Sequence, residues 1–250
     1  MEVPKSRWFG VADAGSAGLT SLSASPTSCV FLHSTGPWDY LVSRYKLVVF
    51  DFDGTLADSA PWFMRTLNDV ADRHGFRKVT DAEIEMLRGR PNREIIRYLG
   101  VRFWQLPGIA RDMRARSAEA ADRIPLFEGI GDVLRTLRRT GTMIAVVSSN
   151  REDTVRRVLG GLADLVDHYE CGVSLFGKRA RFKRLTRRLG LASGQVLAVG
   201  DEGRDVEAAA AAGFASAAVT WGYATESALR DCGPTFVIHS PAEIASLVNG

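Results

Sequence analysis

The chain has 250 residues, 46% of them hydrophobic and 24% charged, with a formal net charge of +3. That is ordinary globular composition, sufficient for one large domain or for one carrying a smaller insert. The basic residues sit in helical stretches such as "VLRTLRRTG" and "KRARFKRLTRRLG", which read as solvated helix faces and argue against a nucleic-acid partner. No apolar run approaches the length of a membrane span, so no membrane partner is expected.

Cys29, Cys171 and Cys232 lie far apart and form no CxxC pair. Neither a disulfide framework nor a zinc site is expected, and the pattern points to a reducing, cytoplasmic compartment. Residues 1–43 include "VADAGSAGLTSLSASPTSC", rich in Ser, Ala, Gly and Thr and without helical or strand period. They lack the compact apolar block of a secretory signal and are expected to form a disordered N-terminal extension.

From Lys46 onward short apolar runs alternate with helical patterns, as in a parallel α/β sheet. Strands are predicted at Leu47–Phe50, Met143–Val147, Val196–Val199, Ser216–Val219 and Phe236–His239. The segment from Pro61 to Ile124 breaks this alternation with helices only. "FMRTLNDVADRHG" puts Phe63, Leu67, Val70, Ala71 and His74 on one stripe, and Thr80 and Glu83 have capping-box spacing. The expected architecture is therefore a core over 44–60 and 125–250 with a helical cap over 61–124, inserted after the first strand. Later helices have clear stops. Ile130, Val133, Leu134 and Leu137 share one face before Gly141, Phe182, Leu185 and Leu189 share another before Gly190, and "GRDVEAAAAAG" ends at Gly213.

Three predicted strands end in polar residues: Asp51 and Asp53 after the first, Ser148, Ser149 and Asn150 after the second, and Asp201 and Asp205 after the third. Ligands of open parallel sheets bind outside the carboxyl ends of the strands, so the three sets are expected to meet in one crevice. Like charges two residues apart cost energy unless a positive charge intervenes. Asp51, Asp53 and Asp201 are hard oxygen donors suited to Mg²⁺, which would turn their repulsion into binding energy. One of the first pair can then attack while the other handles a proton. The strand-end hydroxyls and N–H groups at Ser148 suit a phosphate. Lys178 is the favoured lysine because it begins a helix facing the strand ends, with Lys183 as the alternative. Asp205 fits a supporting role beside Lys178 or the metal. Arg88, Arg90 and Arg93 flank a Gly-Pro break in the cap; they read as a solvated loop from which Arg90 could reach an anionic substrate. His33, His74, His168 and His239 are scattered and read as structural or exposed.

"DFDGTLADS", "VVSSN", Lys178 and "GDEGRD" resemble, in order and spacing, the four motifs of the haloacid dehalogenase superfamily and its phosphoglycolate-phosphatase branch. "PLFEGIGDVLRTLRRTG" and "VTWGYATESALRDCGPTFVIHSPAEI" extend the likeness from about Lys46 to the C-terminus. The resemblance implies a Rossmann-like core with an α-helical cap, and a Mg²⁺-dependent phosphatase acting on a small phosphorylated metabolite. Asp51 would be the nucleophile and Asp53 the acid and base, with Ser148 and Lys178 on the phosphate and Thr55, Ser149 and Asn150 around it. Asp53 argues against dehalogenase chemistry, which lacks the second acid. A phosphosugar mutase of the same superfamily and a non-catalytic phospho-ligand-binding protein are the rival readings. The leaving group and oligomeric state are not legible here.

Overall fold

The structure is a computed structural model that describes residues 44–173 and 177–249. The N-terminal extension expected over 1–43 lies outside the described residues. Six strands form one parallel sheet: β1 (Leu47–Phe50), β2 (Met143–Val147), β3 (His168–Glu170), β4 (Val196–Gly200), β5 (Ala215–Val219) and β6 (Phe236–Ile238). Their order, β3-β2-β1-β4-β5-β6, is that of the Rossmann fold and places a topological switch between β1 and β4.

Strand β1 reads "LVVF" and is buried on both faces, as a central strand covered by helices must be. Alternation sends Val48 and Phe50 to one core and Leu47 and Val49 to the other. On the first side, α5 (Ile130–Arg139) and α10 (Ala242–Asn249) contribute Ile130, Leu134, Leu137, Ile244 and Val248. On the other, α7 (Lys178–Leu189) and α8 (Gly203–Ala212) contribute Phe182, Leu185, Ala208 and Ala209. Helices α7 and α8 end at Gly190 and Gly213, where expected.

Strand β3 was not expected from the sequence. It is three residues long, "HYE", and pairs only with β2 at the sheet edge, so it carries no buried apolar run to betray it.

Between β1 and β2 the chain forms α1 (Ala60–His74), α2 (Asp81–Leu87), α3 (Asn92–Tyr98) and α4 (Leu106–Ala120). They enclose a small apolar cluster of Val79, Leu87 and Leu99, joined by Leu67, Ile84 and Ile95. Helix α2 starts with the predicted capping box: the Thr80 N–H donates to Glu83 Oε2 at 2.9 Å and Thr80 Oγ1 accepts from the Glu83 N–H at 3.3 Å. His74 of α1 meets Asp112 of α4 at 3.2 Å, a structural role. The chain leaves and re-enters the sheet layer side by side: the Asp58 N–H donates to Pro125 O at 2.9 Å and the Phe127 N–H to Leu56 O at 3.0 Å. The remaining helices of the sheet layer are α6 (Glu152–Leu159) and α9 (Glu226–Asp231).

Candidate active site

Strand β1 stops where its chain must turn. Phe52 O accepts the N–H groups of Leu56 and Ala57, both at 2.9 Å, and Gly54 sits inside this turn. Gly54 has φ 75°, and a Cβ there would come within 2.2 Å of Asp201 Oδ2. A side chain at this position is therefore excluded both by conformation and by the carboxylate behind it.

The turn separates the two acids. Asp51 stays beside the sheet, its N–H bonded to Val199 O at 2.9 Å and its Oδ1 accepting from the Phe52 N–H at 2.8 Å. Its Oδ2 lies 2.7 Å from Lys178 Nζ. Lys178, the first residue of α7, also pairs with Asp205 of α8, and both side chains are buried. Lys183 is exposed, so Lys178 is the lysine brought to the strand ends. Asp205 is fixed in turn by the Glu202 N–H, which donates to its Oδ2 at 3.1 Å. Asp201, fully buried after β4, accepts Thr55 Oγ1–H on Oδ1 and the Tyr223 N–H on Oδ2, each at 2.8 Å.

Asp53 faces elsewhere. Ser59 Oγ–H donates to its Oδ1 and Asn150 Nδ2–H to its Oδ2, each at 2.9 Å. The carboxylates that converge, with oxygens within 4.8 Å of one another, are Asp51, Asp201 and Asp205. The sequence expectation had named the Asp53 side chain as the third metal ligand. The turn directs that side chain to Ser59 and Asn150, while the first turn of α8 brings Asp205 beside Asp51 and Asp201.

Ser148 is fully buried and accepts the Asn150 N–H on its Oγ at 3.0 Å. Ser149 presents its carbonyl to Arg114 Nε of α4, which donates to it at 2.7 Å. Arg90 does not join the cluster. It is 57% exposed, 3.5 Å from Glu94, and lines a separate cleft of about 520 Å³ between the inserted helices and the ends of β4 and β5.

Sequence reasoning missed several participants. Tyr223 OH lies 3.1 Å from Ser59 Oγ, so a hydrogen-bonded chain runs from Tyr223 through Ser59 to Asp53. Arg88 donates from Nε to Tyr223 O at 2.8 Å and from Nη2 to Gly222 O at 3.2 Å, tying the inserted helices to this loop. Ser59 falls inside the first motif and could have been read from it. Tyr223 is distant in sequence and gave no local signal, and Arg88 was read with Arg90 and Arg93 as part of a solvated loop.

Burial governs the electrostatics. It pushes Asp51 up to about 7 despite the opposing pull of Lys178, and it raises Asp53 despite the Ser59 hydrogen bond. Asp201 is driven well above the usual carboxylate range by burial, reinforced by Glu202 and Asp51. Burial alone would discharge Lys178, but Asp205 and Asp51 outweigh it and hold the ammonium charged. Asp51 Oδ2 is buried without a well-directed hydrogen bond, although Lys178 is close. Surplus negative charge, hard oxygen donors and an unsatisfied buried oxygen fit a small divalent cation, which Asp51, Asp201 and Asp205 could hold.

Fold and site together define an α/β enzyme core of the Rossmann type, with its chemistry at the switch point. Residues 48–219 match the family model described as haloacid dehalogenase-like hydrolase, and the chain belongs to that family. It is 30% identical over 205 residues to a phosphoglycolate phosphatase of Synechococcus elongatus, covering 81% of this chain and 97% of that one. It is 31% identical over 209 residues to the tyrosine-protein kinase PtkA of Mycobacterium tuberculosis, covering 78% and 69%. A haloacid dehalogenase-like family hydrolase of Streptococcus pneumoniae shares the fold at TM-score 0.68 and 21% identity, over 81% of this chain and 98% of that one. The named relatives differ in reaction, so the site geometry has to carry the choice. Among the described residues no helix is long and apolar enough to cross a membrane.

Proposed function

We propose that this protein is a Mg²⁺-dependent phosphatase acting on a small phosphate monoester, with phosphoglycolate the leading substrate by likeness to the relatives. The observation that carries this is the division of labour between the two acids. Asp51 points into the cluster of Lys178, Asp201 and Asp205, while Asp53 is held apart by Ser59 and Asn150.

An Asp51 oxygen attacks phosphorus, forming an aspartyl phosphate as the ester oxygen departs with a proton from Asp53. Burial raises the Asp53 pKa, which favours its protonated form relative to an ordinary carboxyl. Asp53 then takes a proton from water, whose oxygen attacks phosphorus and releases phosphate from Asp51. Lys178, Ser148 and nearby N–H groups bind the equatorial oxygens. When bound to Asp51, Asp201 and Asp205, Mg²⁺ supplies charge neutralisation for the nucleophile and the transferring group. Residues 61–124 act as the cap and 44–60 with 125–250 as the core.

A panel of phosphate monoesters assayed for released phosphate tests this reading. Release from at least one ester, lost in EDTA and restored by Mg²⁺, is expected. Isomerisation of a sugar phosphate without release would instead identify a mutase, and no turnover of any ester would defeat both readings.

Proton and metal should compete for Asp51, whose carboxyl lies at about 7 without the metal. Apparent Mg²⁺ affinity should therefore fall as pH drops below that value, by about tenfold per unit. The Mg²⁺ activation constant measured between about pH 5.5 and 8 checks this, and a flat profile would remove Asp51 from the metal.

Arg90 lines the cleft beside Arg88 and Tyr223, with Phe63 and Leu67 on its apolar side. If it meets a substrate carboxylate, Arg90→Ala should cost about 1.5–3 kcal/mol in kcat/KM on phosphoglycolate. p-Nitrophenyl phosphate, which has no carboxylate, should lose far less. Equal losses on both would make Arg90 structural.

A further inference from the structure

Glu170 ends the edge strand β3 with its side chain 3% exposed, and three guanidiniums of α7 converge on it. Arg181 Nη1 and Arg188 Nη1 lie at 3.1 Å and Arg184 Nη2 at 3.7 Å. Spacings of three and four put these arginines on one helix face. A carboxylate offers about four lone-pair sites, whereas each guanidinium carries about five N–H donors, so donors far exceed acceptors. Arg184 is beyond hydrogen-bond distance from Glu170 and remains 62% exposed.

The groove beside them has a volume of about 380 Å³, and its charged lining adds Arg151 and Glu152. Four guanidiniums (Arg151, Arg181, Arg184, Arg188) thus face two carboxylates (Glu152, Glu170), a surplus of two positive charges. The adjoining ion pairs leave that balance unchanged: Asp153 meets Arg151 and Arg156 meets Glu152, one charge of each sign. Glu170, buried and fixed in the strand, holds the arginines in place before any ligand arrives, which lowers the ordering cost of binding. Four guanidiniums spread along the groove offer more donors than a single phosphate group can use, and planar guanidiniums match phosphate oxygens in paired hydrogen bonds.

We propose that this groove binds a small molecule bearing two or more phosphate charges, at a site separate from the acid cluster. The groove adjoins the candidate phosphate site through the backbone: the Glu170 side chain faces the groove while its carbonyl accepts the Ser148 N–H at 3.2 Å. The test must therefore tell them apart. Calorimetric titration of the full chain with pyrophosphate in EDTA should show saturable binding. Arg184→Ala/Arg188→Ala should weaken it by at least about tenfold, the scale of lost charge-assisted hydrogen bonds, while turnover of p-nitrophenyl phosphate is retained. Asp51→Asn should bind pyrophosphate as the parent does. No saturable binding, binding unchanged by loss of both arginines, or binding lost with Asp51→Asn would each overturn the proposal.

Discussion

Asp51→Asn should lower phosphate release by at least about 10⁴-fold while leaving the protein folded and no less stable, the scale seen when a covalent nucleophile is removed. The amide has nearly the shape of the carboxyl but cannot attack phosphorus to form the intermediate. The stability half of this expectation comes from burial. Asp51 is raised to about 7 because ionising it away from water is costly, so a neutral replacement removes that cost above this pH. Lys178 keeps Asp205 as its partner in the variant and is not left alone. Phosphate release and thermal unfolding on the same preparation check both parts. Turnover within about tenfold of the parent would take the nucleophile's role away from Asp51, and a large drop in melting temperature would show that Asp51 is needed for folding.

Lys178→Met should cost both activity and stability, the latter by about 3–5 kcal/mol near neutral pH, as when one partner of a buried ion pair is deleted. Lys178 is the buried ammonium paired with both Asp51 and Asp205, so its loss leaves buried carboxylates facing one another. The sign with pH follows from linkage. Without the cation these carboxyls hold their protons to higher pH in the folded state than in the unfolded one. The folded state then binds more protons, and its stability falls as pH rises from the unfolded carboxyl value of about 4 through the raised one. The deficit should therefore be smaller at about pH 5 than at about pH 8, and Mg²⁺ should recover part of it. Lys183→Met, at an exposed position, should stay within about 0.5 kcal/mol of the parent. Denaturant unfolding of the two variants at both pH values measures the difference, and equal small effects would place the essential cation elsewhere.

The predicted strands that proved right are those with consecutive apolar residues, such as Leu47–Phe50 and Met143–Val147, because a central parallel strand is buried on both faces. Strand β3 lacks that run and lies at the edge, so only tertiary pairing defines it. The gathering of Asp51, Ser148 and Asp201 at one end of the sheet followed from strand direction alone. The placing of Asp205, and not the Asp53 side chain, beside Asp51 and Asp201 did not, because spacing alone does not give the path of the chain beyond the strand. The turn at Phe52 sets the direction of Asp53, and Asp205 arrives through the helical return of α8. Lys178, favoured over Lys183 from its place at the start of the helix, is the lysine that lies beside Asp51. Tyr223 reaches Ser59 from 164 residues away, which no local pattern encodes.

The paired linkers at Leu56–Asp58 and Pro125–Phe127 have an evolutionary consequence. A segment whose ends meet on its host can be lengthened, exchanged or excised while the strands on either side keep their registry. Such an exchange would have to keep the ties that the inserted helices make to the core, Arg88 on the Tyr223 loop and Arg114 on the Ser149 carbonyl.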